Sequence, residues 1–341
     1  CEMTTFGIAS KPDRKDEFIR WVTEAEQAGF GLVCTGDSPA LLRDQYVALT
    51  LLALNTSHCQ IGSFITNPVS RHPTITAGAS STLNEISGGR FRIGISTGDS
   101  GILNLGLKRA TLARLEEYVV TMQRLWRDSE APYNGGTARL VWTDEPVPIY
   151  LAAGGPKALE LAGRIADGVY VTLGLSPEAV DGALRHLEIG ARQSGRTLDD
   201  LDIWWHVRAN IDDDYETAVR GCLSLLGGVA HHTFQAGVEG KFLPRRYKAP
   251  IAELARRYNS QQHTQIGVDG LNANERLVVD LGLKDFLCEN FGFVGTPSDW
   301  ISKARELHGR GVTQLAFAVV VPDIHAFIKQ VGDEVIPHLP G

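Results

Sequence analysis

The chain has 341 residues, 43% of them hydrophobic and 36 of them glycine, and carries a formal net charge of −7. Such a composition supplies a large core and excludes wholesale disorder, while the acidic balance argues against a nucleic-acid-binding surface. Five cysteines without a CxxC pair argue against structural zinc and for a reduced, cytoplasmic setting, and the lack of any apolar stretch near about 18 residues, or of a basic-then-apolar start, argues against a membrane span or a signal peptide.

Taken in chain order, apolar runs predicted as strands alternate with stretches of helical periodicity. A strand over 6–9 precedes a helix over 16–28 that stops at Gly29. Strand 31–35 precedes helix 43–54, and strand 60–65 precedes helix 73–83, which opens on Pro73, a favoured first-turn residue. Strand 91–96 leads to helix 111–126. The stretch 127–147 carries Asn134-Gly135-Gly136 and is predicted to form a hairpin with 137–142 as one strand. Strand 148–152, helix 156–166, strand 168–172, helix 177–194, strand 201–207 and helix 213–225 follow. After them, 227–293 is too long for a barrel loop and is rich in His, Arg, Tyr and Gln. It is predicted to be a mostly helical insertion over the active-site mouth, with helical pieces at 251–258 and 274–280. Helix 298–309 and strand 313–320 close the chain. Most runs are continuously apolar, as suits parallel strands buried on both faces. Eight βα units imply an α/β fold of the (β/α)8 TIM-barrel type, one domain over 1–341 with the insertion before its last strand.

In such a barrel the C-terminal ends of the strands line the active site. Asp37 and Ser38 follow the second strand, Ser63 and Phe64 end the third, Thr97, Gly98 and Asp99 follow the fourth, and His206 lies on the seventh. Asp37 could equally be a turn or helix-capping residue. At Ala153-Gly154-Gly155-Pro156-Lys157 a strand ends and a helix opens. Glycines there expose backbone N–H groups to a phosphate, and the helix dipole favours its charge. An ordinary tight turn has the same spelling, and Lys157 could pair with a phosphate or stay solvated. Cys34 and Cys59 sit in apolar runs and read as core. His231, His232 and His263 fall in the insertion. Adjacent histidines cannot both face one site from a helix, and no HExxH-like pair suggests a metal.

Several motifs carry a resemblance. They are Gly62-Ser63-Phe64-Ile65-Thr66-Asn67-Pro68-Val69-Ser70-Arg71-His72-Pro73, then Thr82 to Arg90, Ile93-Gly94-Ile95-Ser96-Thr97-Gly98-Asp99, Ile149 to Ala158, Ala162 to Gly168 and Val294-Gly295-Thr296-Pro297. Together they resemble the bacterial-luciferase-like superfamily over nearly the whole chain, with the methylene-tetrahydromethanopterin reductase branch nearest at the Gly-Gly-Pro-Lys and Arg-His-Pro runs. The resemblance implies a flavin or deazaflavin whose phosphate sits at Ala153, Gly154, Gly155 and Lys157. Its ring would face Asp37, Ser63, Phe64, Thr97, Gly98 and Asp99, with a non-proline cis peptide at Ser63-Phe64. It also implies a small-molecule substrate and a homodimer or higher homo-oligomer. A His common in the family after the acidic residue is replaced here by Ser38, and Ser96 stands where luciferase has a reactive cysteine.

Two chemistries are implied. A reduced-FMN-dependent monooxygenase would add O2 to a flavin delivered by a separate reductase, and no GxGxxG after the first strand provides for a nicotinamide. A coenzyme F420-dependent enzyme would instead transfer a hydride and need acid–base help. The loss of the usual His at Ser38 tips the expectation to FMN, with F420 the alternative. In the FMN reading Trp204, His206 and His231 shield a peroxide, and Asp37 and Asp99 orient the ring. The candidate catalytic residues are Asp37, Ser38, Asp99 and His206.

Overall fold

The computed structural model describes residues 3–235, 237–259 and 270–341. Eleven strands are present among them: β1 (Thr5–Ser10), β2 (Leu32–Thr35), β3 (Gln60–Ser63), β4 (Phe91–Ile95), β5 (Glu130–Tyr133), β6 (Gly136–Arg139), β7 (Ile149–Ala153), β8 (Gly168–Val171), β9 (Asp202–Ile211), β10 (Gly292–Gly295) and β11 (Gln314–Ala318). Strands β1, β2, β3, β4, β7, β8, β9 and β11 pair in parallel in that order, and β11 returns to β1. This is the expected closed eight-stranded TIM barrel. All four residues of β2 and of β8 are buried, because helices cover the outside and side chains fill the inside. Ala9, Leu32, Cys34, Tyr150, Tyr170, Trp204 and Ala316 occupy the interior, so the barrel is a packed core and not a pore.

Helix ends follow local chemistry. Thr296 accepts from the Asp299 N–H while the Asp299 side chain returns to the Thr296 N–H, a capping box that starts the helix Pro297–His308. The predicted hairpin is present: β5 and β6 pair antiparallel across Asn134 and Gly135, whose φ values of 50° and 75° suit a tight primed turn. Its second strand is Gly136–Arg139, shorter than the predicted 137–142.

The seventh barrel strand departs from expectation. β9 runs ten residues, and its segments pair in turn with β8, β11 and β10. It outruns its neighbours because β10, from the far end of the inserted segment, pairs with its last turn at Arg208–Ile211. The insertion is therefore not purely helical. The helix after β9 is also longer than predicted, Tyr215–Phe234, and with Arg245–Arg257, Ala273–Asp280 and Lys284–Phe291 it builds a second apolar cluster beside the barrel. His263 lies outside the described residues. No described helix is long and apolar enough to cross a membrane. Cys34, Cys59, Cys222 and Cys288 are free and buried, and burial pushes all four thiols up in pKa. That agrees with the core reading of Cys34 and Cys59.

Candidate active site

A cavity of about 330 Å³ opens at the C-terminal ends of β1, β2, β3, β4, β9 and β11. Asp37, Ser38, Phe64, Gly98, Asp99 and His206 all line it, so six of the residues singled out in the sequence come together. Its floor is Phe64, whose ring meets Tyr170 edge-on at 4.8 Å and His206 at 5.0 Å.

Asp37 is buried and firmly held. Thr66 Oγ1 donates to its Oδ2 at 2.6 Å, and Arg71 Nη1 donates to the same oxygen at 2.8 Å. Arg71 reaches Asp44 with its other terminal nitrogen and lies over the Tyr46 ring at 4.5 Å. A guanidinium gripped by two carboxylates and an aromatic face is a rigid counter-ion. Ser38 stands beside it, its Oγ 3.4 Å from that of Ser100.

Asp99 joins the barrel to the insertion. Arg109 Nη2 bonds its Oδ1, and His232 Nδ1 stands 2.8 Å from its Oδ2. Burial raises the Asp99 pKa, but His232 and Arg109 outweigh it and the carboxyl ends below its ordinary value. His231 lies edge-on to the His232 ring at 5.3 Å but makes its own contacts: it stacks on Tyr258 at 4.8 Å, and its Nδ1 is 2.8 Å from the Ala255 carbonyl oxygen.

Several expectations are corrected. The cis peptide is Phe64–Ile65, one bond later than the Ser63-Phe64 bond expected. Ser63 does not face the cavity: its hydroxyl donates to the Gly94 carbonyl and accepts from the Gly94 N–H, both at 2.8 Å. Thr97 does not line the cavity either, while Ala153, Gly154, Gly155 and Lys157, the turn expected to take the phosphate, lie outside it. The end of the helix Tyr215–Phe234 reaches the end of β8, with Thr233 Oγ1 3.5 Å from the Thr172 carbonyl. Trp204 is inside the barrel core, and His231 faces Tyr258, so neither shields the mouth. His206 lines the cavity, but burial, helped by the charge of Arg208, pushes its pKa down to about 3. It is therefore neutral near pH 7 and cannot serve there as a cationic acid.

The glycine turn keeps the features of an anion site. Gly155 caps the helix Pro156–Ile165 with no side chain satisfying the first N–H groups. A Cβ on Gly154 would meet Thr172 Oγ1 at 2.5 Å, whereas one on Gly155 would find its nearest neighbour in Lys241 Cε at 4.0 Å. Lys241 is supplied by the insertion and donates to the Thr233 carbonyl.

Sequence reasoning missed Arg71, Arg109, His232 and Lys241 as partners of the site, and missed Arg208 altogether. Arg208 had a signal: it interrupts the apolar run 203–211 two residues after His206, which puts both on one face of the strand.

The model of the luciferase-like monooxygenase family matches residues 3–314. The 5,10-methylenetetrahydromethanopterin reductase of Archaeoglobus fulgidus is 30% identical over 348 residues, covering 98% of this chain and 99% of that one. The solved structure of coenzyme F420-dependent tetrahydromethanopterin reductase from Methanopyrus kandleri aligns with a TM-score of 0.78 at 26% identity, covering 99% of this chain and 100% of that one. The monooxygenase RslO1 from Streptomyces bottropensis aligns at 0.68 with 18% identity, covering 98% and 99%, and so shares the fold.

Proposed function

The chain belongs to the luciferase-like monooxygenase family, and from that premise we propose that this oxidoreductase is a coenzyme F420-dependent enzyme that moves a hydride to or from a small organic substrate. The observation that carries the reading is the match to an F420-dependent reductase along practically the whole of both chains. The expectation of a reduced-FMN monooxygenase, with its separate flavin reductase, gives way to it. The monooxygenase RslO1 offers a likeness of fold alone at 18% identity.

The residues present suit a deazaflavin. The cavity lies at the small end of the range for small-molecule sites, and an uncapped helix start with two glycines offers N–H donors to a phosphate. When bound, F420 supplies or accepts a hydride at its ring carbon. Gly36 to Ser38, Phe64 and Gly98 would contact the ring, Gly154 and Gly155 would take the phosphate, and Lys157 and Lys241 would add positive charge. Asp37, fixed by Arg71 and Thr66, orients and does not shuttle protons. His206 enters neutral and offers a hydrogen bond without a charge. Of the candidate catalytic residues, Asp37, Ser38 and Asp99 thus position, and His206 touches the reacting groups.

The test is anaerobic titration of the purified protein with reduced F420 and with reduced FMN. Micromolar binding of F420 and none of FMN is expected; the reverse, with O2-dependent turnover, would overturn the reading. Gly155→Asp adds a second arm. Position 155 is extended and has room for a side chain, and Asp is a good helix cap. The variant should fold yet bind F420 at least about tenfold more weakly, or ~1.4 kcal/mol. Unchanged affinity would remove the phosphate from this turn.

A further inference from the structure

The charges around the cavity do not balance. Asp37 is matched by Arg71, and Asp99 by Arg109. Lys11, at the rim, is 3.7 Å from Asp13 and well exposed. Arg208 also lines the cavity, yet among the described residues no carboxylate, carbonyl, hydroxyl or amide meets its guanidinium, and its Nε is sealed from solvent without an acceptor. Burial lowers its pKa, while Cys222 and Tyr258 act in the opposite direction. A guanidinium nevertheless stays charged at any pH a protein survives. Arg208 is half-buried, and a charge drawn partly out of water with no partner destabilises the fold that holds it. Such groups persist where a ligand supplies what is missing.

We infer that Arg208 anchors an oxyanion, a carboxylate or a phosphate, on the substrate, so that the substrate class of this enzyme is an anionic small molecule. The inference rests on the F420 reading for one point only, that this cavity is where substrate and cofactor meet. Three features support an anion. The guanidinium presents a fork that carboxylates and phosphates meet with two parallel hydrogen bonds. The neighbouring His206 is neutral, so one negative charge settles this side of the mouth. The cofactor's own phosphate has a separate place, because no residue of 153–157 lines the cavity. The strand supplies the geometry: β9 overshoots the barrel rim, and Arg208 is the residue at which its pairing passes from β11 to β10.

The experiment uses the full chain without cofactor, titrated calorimetrically with inorganic phosphate, with succinate and with neutral 1,4-butanediol. Millimolar or tighter binding of phosphate or succinate, and none of the diol, is expected, and the better anion identifies the group. Arg208→Met should weaken that binding by at least about tenfold, and the ligand-free variant should melt at least ~2 °C higher than the parent, because an unpaired charge is gone. Arg208→Lys should bind the anion more weakly than the parent but better than the Met variant. If neither anion binds the parent, or Arg208→Met binds as well as the parent, or it melts lower, the inference is wrong and Arg208 is structural. F420 affinity should be unchanged in Arg208→Met; a tenfold loss would assign Arg208 to the cofactor and overturn the inference. Arg208-dependent anion binding in a protein that ignores F420 would instead leave the anion site standing and remove the cofactor reading.

Discussion

Two arcs of the barrel mouth handle charge in opposite ways. On the arc formed after β2, β3 and β4, both carboxylates that line the mouth already have a cation: buried Asp37 has Arg71, and half-exposed Asp99 has Arg109 with His232 alongside. On the β9 arc stand a neutral histidine and an arginine that meets no counter-ion among the described residues. The first arrangement is complete before any ligand arrives, so its geometry is preorganised. The second is incomplete and holds its charge in reserve. The difference teaches where to look for cofactor and where for substrate: a finished surface suits a constant partner, and an unfinished one suits the molecule that must be told apart from others.

The largest expected effect comes from breaking the finished arc. Arg71→Met keeps the aliphatic stem but leaves Asp37, whose side chain is 2% exposed, without its cation. We expect a loss of about 3 kcal/mol in urea unfolding. That is opposite in sign to the effect of Arg208→Met, and a neutral Arg71→Met would erase the contrast between the arcs.

Next comes the titration of His206. In the unfolded chain this histidine takes up a proton near pH 6.5, but in the fold not until about pH 3. Between those values the unfolded state binds more protons, so stability falls as the pH drops from 6.5 towards 3. The parent should be about 2 kcal/mol less stable at pH 5 than at pH 7 on this account. His206→Gln should flatten that slope, as Arg208→Met should in part, since the arginine is the second cause of the shift. An identical acid slope in His206→Gln would place the proton uptake elsewhere.

The smallest effect is expected at the seam between barrel and insertion. The Asp99 carboxyl is depressed in the fold, so its contribution is present above the ordinary carboxylate pKa and is lost as the pH falls through the lower, folded value. Asp99 is 38% exposed, which screens its ion pairs, and Asp99→Asn should cost no more than about 1 kcal/mol. It should still loosen the end of the helix Tyr215–Phe234, read as faster limited proteolysis after Phe234. Unchanged cleavage would show that His232 does not tether the insertion.

Much of this could be read from the chain. The eight barrel strands lie where continuous apolar runs place them, because burial on both faces is written in each run by itself. Asp37, Ser38, Gly98, Asp99 and His206 follow from counting to the ends of those runs. The ends themselves were less legible. β3 stops at Ser63, ahead of the cis peptide at Phe64–Ile65, although the apolar run continues to Ile65. β9 continues past Val207 through Arg208 and Asn210 because β10 is there to pair with it.

What the sequence determined by itself is therefore local: element type, the capping of helices, the glycine turn at Gly154 and Gly155, and the barrel those units must close. What only the tertiary structure decided is which charge meets which. Asp37 and Arg71 are 34 residues apart, and His232 comes to Asp99 from the helix after the seventh barrel strand, three barrel strands further along the chain. Hydrophobic periodicity acts between neighbours on one element, whereas an ion pair depends on the distance between elements, which is fixed only when the barrel closes. Arg208 makes the point most sharply: its residue type was visible from the start, but that no described residue pairs with it is a property of the folded mouth alone.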